Sequence, residues 1–166
     1  MNYSECLTYL EKLGDEVLTM KLGLQNIRAL LKALGRPHLK FPSVVIAGTN
    51  GKGSVAHFLH AITTECGIKT GLYTSPHLVK LEERFVVNGE TVNPEILALC
   101  LTRIKDVIAR LHLVHHPTYF EILTAGAFLW FAQEEVELAI LEVGMGGRLD
   151  STNVVDPVVC ILTSIG

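Results

Sequence analysis

Between Val44 and Cys66 the sequence places Gly48-Thr49-Asn50-Gly51-Lys52-Gly53-Ser54 after a short apolar run and before a helical pattern. Glycines at such a junction let the backbone turn tightly and aim N–H groups at an anion. The helix that follows adds the partial positive charge of its N-terminus. Lys52 is placed to reach the β- and γ-phosphates of a nucleotide. The spacing departs from the common G-x-x-x-x-G-K-[ST] loop, because Gly53 separates Lys52 from Ser54. The competing reading is a glycine-rich turn that only caps a helix. The order of strand, loop, lysine and helix favours the phosphate loop.

Two further segments carry groups suited to the same chemistry. Thr74-Ser75-Pro76-His77 follows an apolar run, and the Ser75 hydroxyl could serve Mg²⁺ or phosphate, although such a segment alone is a common strand-ending turn. Glu142 closes the apolar run LAILE. A buried carboxylate is costly unless it is paired or binds a metal. In phosphate-loop enzymes an acid on a neighbouring strand holds Mg²⁺. The alternative is a structural ion pair with Arg148. The segment after Glu142, GMGGRLDSTN, combines three glycines with Arg148, Asp150, Ser151, Thr152 and Asn153. It is no dinucleotide fingerprint, because no apolar helix follows it. His57 and His60 have a spacing that could bind metal, but no third ligand is evident, which favours ordinary surface or core histidines. His112, His115 and His116 can complement a helix dipole.

The elements that must position these groups follow from periodicity. Ser4 is expected to cap a helix over 6–13 that Gly14 ends. A second helix follows Gly23, with Leu24, Ile27, Leu31 and Leu34 on one face and Gly35 and Pro37 at its end. Val44–Ala47 reads as a buried strand. After the loop, Val55, Leu59, Ile62 and Cys66 form the expected buried stripe of a helix. Residues 68–75 read as a strand, and 84–92 as a hairpin turning at Asn88-Gly89 with type I′ chemistry. Asn93-Pro94 opens a helix to about Leu111. Thr118-x-x-Glu121 is a capping box opening a helix to about Gln133, apolar nearly all round and therefore deeply buried. Residues 138–143 and 157–166 complete the strands. Strands alternating with helices predict a doubly wound α/β domain with a mostly parallel sheet, ligands lying beyond the carboxyl ends of the strands.

Composition limits the partners. The 166 residues carry a net charge of −3 and show no basic stripe, so a nucleic-acid partner is not expected. The longest uncharged apolar run, about 122–132, is shorter than the ~20 residues that span a bilayer, and the N-terminus has no signal-peptide pattern. Cys6, Cys66, Cys100 and Cys160 lie in or beside apolar runs and form no CxxC, so they read as buried thiols of a reducing, cytoplasmic compartment. Hydrophobic residues make up 49%, which suits a sheet covered on both faces or a chain that has lost a packing partner.

Four segments together, AGTNGKGS at 47–54, YTSPHL at 73–78, YFEILTAGAF at 119–128 and LEVGMGGRLDSTN at 141–153, resemble the folylpolyglutamate synthase/dihydrofolate synthase family of the Mur ligase superfamily. The resemblance runs from about Leu10 to Gly166. It implies a phosphate-loop ATPase domain, followed in the family by a C-terminal Rossmann-like domain that is absent from residues 1–166. It also implies an ATP- and Mg²⁺-dependent ligase. ATP would phosphorylate a folate or dihydropteroate carboxylate, and the amine of L-glutamate would displace the phosphate. By the same resemblance Gly48, Thr49, Asn50, Gly51, Lys52, Gly53 and Ser54 hold the ATP phosphates, Lys52 and Glu142 act in catalysis, and Ser75 and Glu142 coordinate Mg²⁺. Lys21, Leu22, Thr118, Tyr119, Phe120, Glu121, Asp150, Ser151 and Thr152 match segments lining the pterin site. The family's Mg²⁺-binding histidine, carbamylated lysine and adenine-binding residues come after TSIG. The expectation is therefore a truncated ATPase domain that is inactive alone, exposes an apolar edge and can self-associate, whereas full-length members are monomers. A ligase acting on UDP-muramoyl precursors, or a short nucleotide-binding protein without ligase activity, are the alternatives.

Overall fold

The computed structural model describes residues 1–14, 23–113 and 115–166. Six strands form one sheet: β1 (Ser43–Ala47), β2 (Thr70–Tyr73), β3 (Phe85–Val87), β4 (Glu90–Thr91), β5 (Leu138–Glu142) and β6 (Val159–Leu162). Their order is β4-β3-β2-β5-β1-β6. The strands β2, β5, β1 and β6 run parallel, while β3 pairs antiparallel with both β2 and β4. The expected mostly parallel α/β sheet is present. The β3–β4 hairpin at its edge follows from the Asn88-Gly89 turn, where both residues take positive φ (49° and 85°), as a two-residue hairpin loop requires.

Among the described residues there are five α-helices, α1 (Tyr3–Glu11), α2 (Gln25–Ala33), α3 (Lys52–Glu65), α4 (Pro94–Ile108) and α5 (Tyr119–Gln133); α3 and α5 pack on the strands, α2 and α4 mainly on α5, and α1 on α4. Strand alternation divides the core. Val45, Tyr73, Ala139 and Leu141 point to the side of α1, α2, α4 and α5. Val44, Ile46, Leu72 and Ile140 point to the side of α3. By the same alternation Glu142, two residues beyond Ile140, faces α3. The centre of the larger core is α5, buried from Phe120 through Phe131. It approaches β2 closely because Gly71 has no side chain; a Cβ there would lie 2.9 Å from the Phe131 ring.

Caps decide the helix starts, and one expectation is corrected. Asn2, not Ser4, caps α1: its side chain accepts from the N–H of Glu5, while the Glu5 carboxylate accepts from the Asn2 N–H. Three residues beyond Ser4 stands Leu7, which cannot close such a box. Asn93 and Thr118 cap α4 and α5 as expected.

A second correction concerns α3. Its buried residues are Ala56 and His60, with Val55 and Leu59 partly covered, whereas Ile62 and Cys66 are exposed. The helix has apolar side chains around much of its circumference, so spacing alone does not choose a face. The thiols divide likewise: Cys6 and Cys100 are buried, Cys66 and Cys160 exposed. Cys66 ends the outer face of α3, and Cys160 lies on the edge strand β6, whose Val159 and Leu162 are also exposed.

Candidate functional site

The parallel strands bring four loops to one edge of the sheet: those after β1, β2, β5 and β6. After β1 the chain turns at Gly48 (φ 136°) and Gly51 (φ 82°), and Gly51 is the N-cap of α3. The helix thus starts at Lys52, earlier than spacing implied, so the N–H groups of Lys52, Gly53 and Ser54 belong to its first turn. Such N–H groups have no acceptor within the helix and are available to an anion. Lys52 Nζ folds back onto the loop, donating to the carbonyls of Gly48 (3.0 Å) and Thr49 (3.3 Å). The chain after β6 braces the loop: the Thr49 N–H donates to the Ser164 carbonyl at 2.8 Å. A Cβ on Gly48 would collide with the Thr163 hydroxyl, so this glycine answers to both backbone angle and space.

Glu142 enters from β5. It is 5% exposed, and its Oε2 accepts from the Ser75 N–H at 3.1 Å. A Cβ on Gly53 would lie 3.6 Å from both carboxylate oxygens, so the acid sits against the first turn of α3. Burial raises the Glu142 pKa, opposed by the Ser75 N–H and by the nearby charges of Lys52, His57 and Arg84. The expected alternative partner, Arg148, is exposed, and the one salt bridge among the described residues joins Lys69 to Glu134. Ser75, Glu142, Gly53, His57 and His60 share the wall of a cavity of about 480 Å³. His57 Nδ1 lies 2.8 Å from the Gly53 carbonyl, and His60 is buried. Among the described residues no three His, Cys, Asp or Glu side chains gather as a metal site.

Among the described residues, those expected on the pterin side do not line that cavity. Thr118 and Glu121 are engaged with each other across the α5 cap, at 2.8 and 3.2 Å. Tyr119 lies under the Arg84 guanidinium, 5.6 Å from ring centroid to Cζ. Phe120 is buried beneath the Gly144 backbone. Asp150 accepts from the Met145 N–H (3.0 Å), the Thr152 N–H (2.9 Å) and the Thr152 hydroxyl (2.6 Å), and so shapes the loop after β5. Ser151 and Thr152 are buried within it. Lys21 and Leu22 lie outside the described residues. His77, from the segment already singled out, and two residues that spacing did not identify, Glu83 and Arg84, hold the loop after β2. The only sequence signal of Glu83 and Arg84 was a cluster of charges just before the hairpin.

Gly144 offers a check on this arrangement. A Cβ there would lie 2.7 Å from Phe120 Cζ. Gly144→Ala is expected to destabilise the chain by about 1–3 kcal/mol through overpacking, seen as a lower denaturation midpoint. Unchanged stability would mean that the Phe120 ring does not lie under this backbone.

No protein-family model matches the chain. Curated relatives include the dihydrofolate synthase/folylpolyglutamate synthase of Bacillus subtilis, 41% identical over 150 residues, which are 89% of this chain and 35% of the relative. A folylpolyglutamate synthase of Lacticaseibacillus casei is 35% identical over 99% of this chain and 39% of its own. Among solved structures, the folylpolyglutamate synthase of Thermotoga maritima superposes with a TM-score of 0.92 at 40% identity, covering 99% of this chain and 38% of that one. E. coli FolC in complex with DHPP and ADP gives a TM-score of 0.91 at 37% identity, covering 100% of this chain and 39% of that one. The chain therefore spans well under half the length of these relatives.

Proposed function

We infer that this chain, whose curated relatives and solved neighbours are folylpolyglutamate and dihydrofolate synthases, supplies the nucleotide-phosphate and metal-binding part of a ligase. The reaction joins L-glutamate to the carboxylate of a folate, or of dihydropteroate, at the expense of ATP. The observation that carries this reading is the convergence at one sheet edge of the Lys52 loop with the Ser75–Glu142 pair. Solved relatives described as complexes with AMPPCP and folate, and with DHPP and ADP, support it.

Residues 48–54 hold the ATP phosphates through the first-turn N–H groups and Lys52. The donor set fits Mg²⁺: the Glu142 carboxylate and the Ser75 hydroxyl are hard oxygen donors, and Mg²⁺ commonly takes one or two protein oxygens beside phosphates and water. When bound, Mg²⁺ supplies charge neutralisation to the transferring phosphoryl group. The γ-phosphoryl group passes to a substrate carboxylate oxygen, with ADP leaving. The glutamate amine then attacks the acyl carbon, the bond to phosphate breaks, and the amine loses a proton. Lys52 and the α3 N-terminus stabilise the charge spread over the phosphoryl oxygens. The folate side of the site is assigned to Lys21, Leu22, Thr118–Glu121 and Asp150–Thr152. The chain spans only 35% and 39% of the two curated relatives, so this stretch alone is expected to be inactive.

The test is ligation by the full-length protein. Supplied with ATP, Mg²⁺, L-glutamate and either tetrahydrofolate or dihydropteroate, it is expected to release ADP and a product heavier by one glutamyl residue. Turnover of a UDP-muramoyl substrate with neither folate accepted would overturn the substrate assignment. ATP binding without ligation of any of these would overturn the ligase.

A further inference from the structure

The loop after β2 is fastened at several points, and most of the anchors belong to two consecutive residues. The Glu83 carboxylate accepts from the N–H groups of Leu78 (2.8 Å), Val79 (3.1 Å) and Lys80 (2.8 Å). Arg84 Nε donates to His77 Nδ1 at 2.8 Å, and the Arg84 carbonyl accepts from the Thr74 N–H at 3.1 Å. Arg84 is 2% exposed, so burial and the Tyr119 ring hold its guanidinium in place. A further anchor is the Ser75 N–H on Glu142. Ser75 thus sits between residues whose backbone or ring is held by the pair at 83 and 84.

These contacts exceed what a surface turn needs. A carboxylate gathering three successive N–H groups sets the direction of the chain leaving the turn, and the Leu78, Val79 and Lys80 N–H groups hold the Glu83 carboxyl below the usual carboxylate range. Arg84 binds both the start of the turn, through its carbonyl, and the His77 ring, through its Nε. Loss of a group that orients a metal ligand typically costs about 10–100-fold in metal affinity or activity.

We propose that Glu83 and Arg84 are positioning residues that hold the Ser75 hydroxyl and the Glu142 carboxylate in register for a phosphate-bound divalent cation. The Mg²⁺ part of this inference rests on the function proposed above, whereas the positioning of Ser75 does not.

Two measurements on the full-length protein test it. The first is the Mg²⁺ concentration giving half-maximal ATP-dependent turnover. Glu83→Ala is expected to raise it about tenfold, and Glu83→Gln, which keeps one acceptor oxygen, by less. In a Ser75→Ala background Glu83→Ala should add little, because both changes act through one group. An equal further rise in that background, or no rise in the single variant, overturns the proposal. The second is amide hydrogen exchange, which needs no activity. Glu83→Ala and Arg84→Lys are both expected to speed exchange at the Ser75 N–H, which neither residue touches. Faster exchange confined to residues 78–80 in Glu83→Ala, with Ser75 unchanged in both variants, overturns the positioning. A wild-type protein without ligase activity defeats the functional reading alone, and the exchange result still decides this one.

Discussion

Glutamine at position 142 is expected to stop Mg²⁺-supported turnover while leaving the fold at least as stable as before. The side chain is nearly isosteric, and its amide can still accept from the Ser75 N–H. It cannot supply the negative charge that holds a divalent cation, so a loss of roughly 10³-fold in kcat is expected. Stability moves the other way because burial raises the Glu142 pKa. The folded state therefore binds this proton more tightly than the unfolded state. The resulting stabilisation is fully present below the ordinary carboxylate value of 4.5 and is lost as pH rises through the raised value. Glutamine cannot ionise and escapes that loss. The melting temperature of Glu142→Gln relative to wild type should thus improve as pH rises through this window, measured without Mg²⁺. Turnover within tenfold of wild type would remove Glu142 from the metal site. A variant that melts increasingly below wild type as pH rises would mean that the ionised carboxylate is stabilising.

Removing the amine of Lys52 is expected to have the next largest effect. In Lys52→Met the two donations to the Gly48 and Thr49 carbonyls disappear, but these lie at a partly exposed loop. The stability cost should stay near 1 kcal/mol. The functional cost is larger, because the ammonium is the mobile positive charge able to leave those carbonyls for a nucleotide phosphate. A fall of roughly 10²–10³-fold in kcat/KM for ATP is expected. Arginine should not restore it, since its planar fork cannot replace a compact ammonium in this tight turn. Calorimetric titration of ATP into the full-length variant checks the binding component. Unchanged affinity together with unchanged kcat/KM would mean that the loop is only a helix cap.

The site was legible to different depths. The Lys52 loop was legible as a candidate phosphate loop, because such a loop is contiguous and presents consecutive N–H groups. Ser75 and Glu142 could be singled out by type, but their contact could not. They are 67 positions apart in the chain and meet because β2 pairs with β5. The ion pair with Arg148 was the lesser alternative suggested by proximity in sequence, and the loop after β5 leaves that arginine exposed. Glu83 and Arg84 were passed over because nothing local distinguishes a loop-holding pair of charges from solvated ones.

What the sequence determined by itself were features settled within a few residues. The Asn88-Gly89 turn, the caps at Asn93 and Thr118, the burial of α5 around its whole surface and the alternation of strands with helices all follow from local geometry and periodicity. Even the Asn2 cap was present as a box with Glu5, had spacing been weighed above residue type. The tertiary structure decided what depends on distant partners. The sheet chose the face that α3 presents, turning Ala56 and His60 inward and leaving Ile62 and Cys66 outside. The β4-β3-β2-β5-β1-β6 order brought Glu142 under the first turn of α3 and beside Ser75. Hydrogen bonds between near neighbours are encoded in short patterns, whereas the meeting of a carboxylate with a loop from another strand depends on the register and order of the whole sheet.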